Sequence, residues 1–241
     1  MSIFIFTGPS LAPDEAKCEL DAIYLPPVAQ GDVIRVVRNR PQGIGIIDGF
    51  FESVPAVWHK EILYALSEGI PVFGSASMGA LRAAELAPFG MRGVGAVFEA
   101  FRSGLLEDDD EVAVTHGPQE LGYPVLCEPM VNIRRTLSDA ARDGVIREAT
   151  RQALERIAKN LPYRDRTYFQ LLDIATEIGI SRDQLESLRH WLPSGRVDQK
   201  REDAILMLRT MRAFFGEPKE PRRAAFHFEH TTLWERALQS A

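Results

Sequence analysis

Residues 70–86 read IPVFGSASMGALRAAEL, and the fold follows from how that stretch divides. Ile70, Pro71, Val72 and Phe73 form a short apolar run without polar alternation, the pattern of a strand covered on both faces. Gly74, Ser75, Ala76, Ser77, Met78 and Gly79 then make a tight small-residue turn, and Ala80 to Leu86 continue as helix formers. A strand that runs straight into a helix is half of a parallel crossover unit.

The same alternation extends on both sides. Residues 2–6 (SIFIF) predict a first strand ending in the turn cluster Thr7-Gly8-Pro9-Ser10. Residues 14–22 predict a helix stopped by Leu25-Pro26-Pro27. Residues 33–37 (VIRVV) predict a second strand, and 44–47 (IGII) a third, closed by Asp48-Gly49. Residues 56–68 carry Val57, Ile62, Leu63 and Leu66 on one side of a helix, with Gly69 as its stop. Residues 70–73 are the fourth strand and 77–86 the next helix. An α/β fold follows, with a mainly parallel sheet flanked by helices over residues 1–125.

Residues 126–241 read as a helical region. Apolar residues recur at helical spacing over 132–143, 147–160, 163–177, 182–191 and 199–215. Ser181 and Asp198 stand where N-caps are expected. From about residue 216 the chain turns Pro- and charge-rich and reads as a loose tail, with one amphipathic piece at 231–237.

Of 241 residues, 45% are hydrophobic and 26% charged, an ordinary globular balance. The net charge of −6 gives no reason to expect nucleic acid or an anionic membrane as partner. That charge is uneven: residues 1–120 hold 8 Lys and Arg against 17 Asp and Glu, and the remainder is net +3. The two cysteines, Cys18 and Cys127, are too few for a disulfide framework or a cysteine zinc site. No apolar run approaches the roughly 18 residues of a membrane span, and the first ten residues lack a basic targeting region. A soluble, cytoplasmic protein is expected. The sequence leaves its oligomeric state open.

Chemistry concentrates at Ser77. Small residues at −2 (Ser75) and +2 (Gly79) are what a nucleophile elbow requires, because larger side chains there would clash across the turn. The helix start behind it offers the Met78 and Gly79 N–H groups to a developing oxyanion. The same turn equally suits a plain N-cap or a phosphate contact. A nucleophilic serine needs a base: His59, His116, His190, His227 or His230, or a neutral lysine. Lysine is scarce, five against 23 arginines. Lys60 lies in the helix just before the Ser77 strand, where Trp58 and aliphatic neighbours offer desolvation. Lys60 also fits a solvated surface lysine paired with Glu61 or Glu52.

Asp48 ends a buried strand, where it either positions Lys60 or His59 or simply makes an Asp-Gly turn. Gly8 and Ser10 follow the first strand and are placed to line the same cleft. They lack a P-loop lysine and G-x-G-x-x-G spacing, so no nucleotide cofactor is expected. The acidic run 107–111, beside His116, lacks calcium-loop spacing and reads as a solvated loop or a helix N-terminus, not a metal site. Residues 226–230, with His227 and His230, alternate like an edge strand. The arginines at 134–135, 164, 166 and 222–223 read as solvated faces, with docking to an acidic partner surface as a further expectation.

Several stretches occur together in order: Phe6-Thr7-Gly8-Pro9-Ser10-Leu11, Ile47-Asp48-Gly49, His59-Lys60-Glu61-Ile62-Leu63, Gly74 through Leu86, Phe89-Gly90-Met91 with Gly93-Val94-Gly95, and Asp108-Asp109-Asp110-Glu111-Val112-Ala113. Over roughly residues 3–130 they resemble the TfuA-like family. Beyond that, only Gln199-Lys200-Arg201-Glu202-Asp203-Ala204 looks familiar. The resemblance implies a partner of YcaO-type enzymes in peptide backbone thioamidation. It implies hydrolysis of a thiocarboxylated ThiS-like sulfur carrier, release of sulfide, and help to YcaO in binding its substrate. It also implies a serine–lysine pair, which falls on Ser77 and Lys60. One departure is that Gly74-Ser75-Ala76-Ser77-Met78 stands where Gly-Ala-Ser-Ser-Met is expected, so Ser75 becomes an oxyanion or turn-stabilising hydroxyl. Two other functions stay open: a non-catalytic adaptor of YcaO with Ser77 as a cap, and a Ser–Lys hydrolase of unrelated thioesters or amides.

Overall fold

A computed structural model describes residues 2–50, 52, 54–217 and 226–240. Most of the expected loose tail, including Arg222 and Arg223, lies outside the described residues. The chain divides into two compact units, Met1–Glu107 with Lys200–Ala241, and Asp108–Gln199. Composition places a single break near residue 125. The structure instead returns the last two helices to the first unit. Among the described residues, no helix is long and apolar enough to cross a membrane.

The first unit is a five-stranded, all-parallel sheet of β1 (Ile3–Phe6), β2 (Ile23–Leu25), β3 (Gly43–Ile46), β4 (Val72–Ser75) and β5 (Arg92–Val94), in the order β2-β1-β3-β4-β5. Its connections are α1 (Pro13–Glu19), α2 (Asp32–Val37), α3 (His59–Ser67) and α4 (Met78–Leu86); α5 (Ala96–Arg102) follows β5. The order of strands reverses between β1 and β3, and in such sheets the crevice for ligands lies outside the carboxyl ends of the strands at that point.

The IGII run shows how sequence sets the two faces. Ile44 and Ile46 point to the face covered by α4, while Gly43 and Gly45 leave room on the other for α10 (Gln199–Phe215). A Cβ on Gly43 would stand 2.3 Å from Phe215 Cζ, and one on Gly45 would stand 3.0 Å from Met211 Sδ. On that face Ile3, Ile5, Phe73 and Ala76 pack with Leu11 and Ala16 of the α1 side and with Ala204, Met207, Leu208 and Met211 of α10.

Residues 33–37 form α2 rather than a strand. Val33, Ile34, Val36 and Val37 are all buried, spacing that a short helix satisfies on one face, and burial overrides β-branched preference. β2 and β5 were not legible: each is three residues long, and β5 contains Gly93 between Arg92 and Val94. Residues 226–230 are not a strand. Phe228 instead packs its ring on Tyr64 and Trp234, the latter on α11 (Thr232–Ser240).

The second unit contains α6 (Met130–Arg142), α7 (Glu148–Asn160), α8 (Tyr168–Glu177) and α9 (Arg182–Gly195) around Ile133, Leu137, Leu154, Leu171 and Leu188. The side chain of Ser181 makes no capping bond to α9, whereas Thr167 caps α8 by accepting from the Gln170 N–H at 3.1 Å. In the acidic run Glu107, Asp108 and Asp109 are exposed and Asp109–Glu111 form a short 3-10 helix, while Asp110 and Glu111 are held by cations. Arg134 grips Glu111 through two bonds of 2.8 and 2.9 Å, and Lys159 and the buried Arg166 both hold Asp110. Two of the arginines read as solvated therefore serve this unit's own acids.

Candidate active site at the carboxyl edge of the sheet

Four chain segments meet where β1, β3 and β4 end. The first is the turn after β4. Ala76 has φ +64° and is fully buried, and the Ser77 N–H donates to the Ser75 carbonyl at 2.7 Å. This is a three-residue turn of the rare positive-φ kind, a backbone state that costs free energy and persists only where the surroundings enforce it. The enforcement is close packing of α4 on the strands. A Cβ on Gly79 would lie 1.8 Å from the Ile46 carbonyl oxygen, and one on Gly74 would lie 2.1 Å from the Gly79 carbonyl oxygen. Only glycine fits at either position, and that is the role of both.

The turn delivers Ser77 to the start of α4, 8% exposed, with φ −126° and ψ −123°. Among the described residues, its hydroxyl makes no hydrogen bond and does not cap the helix. Its carbonyl accepts from Ala80 and Leu81. The two expected oxyanion donors part company. Gly79 N–H donates to the Ile47 carbonyl at 3.3 Å, so it is engaged by β3's end, while Met78 N–H has no acceptor among the described residues. Ser75 is not an oxyanion donor either. Its hydroxyl is buried and donates to the Asp203 carbonyl of α10 at 2.9 Å.

The second and third segments are bound together by Asp48, which is 1% exposed. Its carboxylate accepts from Gly8 N–H and Ser10 N–H, both at 2.9 Å, and from the Ser10 hydroxyl at 2.6 Å. Three donors on one carboxylate fix the loop after β1 against the end of β3. Asp48 thus orients Gly8 and Ser10, not Lys60 or His59. Gly49 beside it lets the Met78 side chain close over β3's end, since a Cβ there would lie 2.7 Å from Met78 Cγ.

The α3 residues are held elsewhere. Lys60 Nζ donates to Thr231 Oγ1 at 3.2 Å and lies 5.4 and 5.9 Å from the ring centres of Phe228 and Trp234. The aromatic cover on the amine is therefore Phe228 and Trp234, not Trp58, and no hydrogen bond joins Lys60 to Ser77. Glu61 is fully buried and accepts from the Gly31 and Trp58 N–H groups. Burial pushes its carboxyl above the usual range despite those bonds. His59 meets Glu85 at 2.7 Å, and Arg82 meets the same oxygen at 2.8 Å. Burial raises the Glu85 carboxyl, but the bonds from His59 and Arg82 outweigh it and hold it below the usual range.

The fourth segment is the first turn of α10, which reading by local pattern does not bring to the site. Asp203 accepts the Ser75 hydroxyl through its carbonyl. Its carboxylate takes the Ala96 and Val97 N–H groups at 3.0 and 2.8 Å, so it caps α5 from another helix. Lys200 and Asp203 are 2% and 3% exposed. The sequence does carry a signal for them: charged residues on the apolar stripe of 199–215.

Residues 48–167 match the family model described as TfuA-like protein. No curated protein matches the chain. The matched stretch begins at Asp48 and contains α3, β4, the Ser77 turn and α4, and through it the chain belongs to the TfuA-like family.

Proposed function

We propose that this protein hydrolyses the thiocarboxylate of a ThiS-like sulfur carrier and releases sulfide beside a YcaO-type enzyme whose substrate binding it aids. The TfuA-like family is associated with an accessory function in thioamidation and with a YcaO partner. The observation that carries the catalytic part is the Ser77 turn: a hydroxyl that makes no hydrogen bond among the described residues, held by an enforced positive-φ residue beside a Met78 N–H that has no acceptor among them.

In this reading the Ser77 oxygen attacks the thiocarboxylate carbon as its proton passes to a lysine amine, the role the resemblance gives to Lys60. The Met78 N–H and the start of α4 face the oxyanion. The C–S bond then breaks, the lysine proton goes to sulfur, and hydrosulfide leaves an acyl-serine. Water hydrolyses that ester to the carboxylate and restores Ser77. The net reaction converts thiocarboxylate and water to carboxylate, hydrosulfide and one proton.

The test is sulfide release from a thiocarboxylated ThiS-like carrier without YcaO. Ser77→Ala is expected to lower the rate by at least about a thousandfold. Full activity in that variant, or no sulfide release by the wild type, overturns the hydrolase reading. Stimulation of YcaO by Ser77→Ala as strong as by the wild type marks an adaptor.

A further inference from the structure

Resting on the Ser77 reading, we propose that the backbone N–H of Gly49 is the second donor to the oxyanion. It takes the place that Gly79 leaves open, since the Gly79 N–H is engaged by the Ile47 carbonyl at 3.3 Å. The oxyanion is then held by two strand ends, Met78 after β4 and Gly49 after β3. The direction of the Gly49 N–H follows from its own peptide unit. The Asp48 carbonyl accepts from the Val28 N–H at 2.9 Å, and the Phe50 N–H donates to the Val28 carbonyl at 3.1 Å. A trans peptide is planar and holds its C=O and N–H in opposite directions, and no cis peptide occurs among the described residues. The Gly49 N–H therefore points away from Val28.

Val28 closely follows Leu25, the last residue of β2, and the strand order puts β2 and β1 on one flank of β3 and β4 on the other. Away from Val28 is thus toward the turn after β4. The register agrees: Ile44 pairs with Val72, Gly45 with Phe73 and Ile46 with Gly74, and the same offset carries Gly49 to Ser77. Neighbouring strands lie about 4.8 Å apart, so an oxygen between the two ends stands within hydrogen-bond reach of both. A Cβ on Gly49 would lie 2.8 Å from Met78 Cβ, which sets the Gly49 backbone against the residue that supplies the other N–H. Gly49 is only partly buried, and its N–H has no acceptor among the described residues. The peptide is also held in advance of any substrate. Gly8 and Ser10 fix the Asp48 carboxylate, and the bond from Val28 to the Asp48 carbonyl polarises the Gly49 N–H as a donor. Donors fixed in this way need not reorganise as charge develops.

The test deletes this N–H and nothing larger, by replacing the Asp48–Gly49 amide with an ester in the full-length chain. Sulfide release from a thiocarboxylated ThiS-like carrier is measured at steady state. The ester is expected to lower kcat by about a hundredfold or more and to change KM by less than about threefold, because the donor meets charge that exists only in the transition state. An ester in place of the Pro27–Val28 amide removes the bond to the Asp48 carbonyl but keeps the Gly49 N–H, and a loss of less than about tenfold is expected. A Gly49 ester within about threefold of the wild-type kcat, or equal losses in the two esters, overturns the assignment. A second measurement needs no variant and decides the matter if the ester chain does not fold. With a fluorophosphonate, the Ser77 oxygen bonds to phosphorus, the P–F bond breaks, fluoride leaves, and the serine proton passes to the lysine amine of the Ser77 reading. The phosphoryl oxygen of that adduct stands in for the oxyanion, so the Gly49 and Met78 amide protons should move downfield in the NMR spectrum. A Gly49 amide proton that does not move overturns the assignment. Wild-type protein that gives no Ser77 adduct, with sulfide release unchanged in Ser77→Ala, overturns the Ser77 reading itself.

Discussion

Asp110 shows how a charge run acquires a structural task. Its carboxylate is 32% exposed and faces Lys159 and the 1%-exposed guanidinium of Arg166, which also donates to the Ala158 and Asp110 carbonyls. Burial raises the Asp110 carboxyl, but the bonds from Lys159 and Arg166 outweigh it and hold it below its ordinary 3.8. A carboxylate lowered on folding adds stability above its unfolded pKa, and that contribution is lost as pH falls through the folded value. Asp110→Asn leaves Arg166 buried against a neutral partner. Such a loss costs about 3–5 kcal/mol for a fully buried pair. With Asp110 a third exposed, about 2 kcal/mol is expected at pH 7. The gap between wild type and variant in urea should narrow as pH falls below 3.8. A gap that stays constant with pH would assign the effect to packing instead of charge.

The tight turn at Ser77 was legible in the sequence because its requirement is local: small residues two positions away on either side. Asp48 was legible as a buried strand-end carboxylate, but not its partners, since Gly8 and Ser10 lie about forty residues earlier. Chain proximity placed Lys60 near the Ser77 turn, but the contact of its amine with Thr231 was not legible, because Thr231 lies 171 residues later.

At the level of elements, two glycine substitutions separate packing against backbone from packing against side chains. A methyl at residue 79 meets the Ile46 carbonyl at 1.8 Å, and neither strand nor helix yields without breaking the register of β3 and α4. A methyl at residue 45 meets Ile5 Cδ1 at 2.6 Å and the ends of Met211 and Met207 at 3.0 and 3.1 Å. Those flexible tips move at small cost. Gly79→Ala should destabilise by about 3 kcal/mol or more, the upper end of overpacking, and Gly45→Ala by about 1 kcal/mol. Chemical denaturation of both variants decides this, and equal losses would show that α4 is not seated as tightly as the Gly79 contact requires. The helices on long periodic stretches and the strands at 2–6 and 44–47 were readable because pattern and burial agree there. Residues 33–37 misled because β-branched composition and helical burial point in opposite directions. β2 and β5 carry too few residues to hold any pattern.

Across the whole molecule, the sheet unit is made from two distant pieces of chain, Met1–Glu107 and Lys200–Ala241. A front half of net −9 and a back half of net +3 suggest two bodies divided near the middle, yet α10, from the basic half, covers one face of the sheet. Arg209 meets Glu19 through two bonds of 2.8 and 2.9 Å, and Arg201 meets Glu15, so the acidic front is partly balanced by arginines from α10. These exposed pairs add little. The apolar contacts of Ala204, Met207, Leu208 and Met211 carry the docking, at about 25 cal/mol per Å² buried. A chain ending at residue 199 would leave Ile5, Ile47 and Phe73 uncovered and the Ser75 hydroxyl and α5 amides without Asp203. It should bind a hydrophobic dye and lose its near-ultraviolet circular dichroism. A chain ending at residue 217 keeps α10 and loses Thr231, Phe228 and Trp234, so its sheet should persist while the cover over Lys60 goes. If the shorter chain keeps a native near-ultraviolet spectrum, the sheet does not depend on α10, and the apolar contacts of Ala204, Met207, Leu208 and Met211 do not carry its stability.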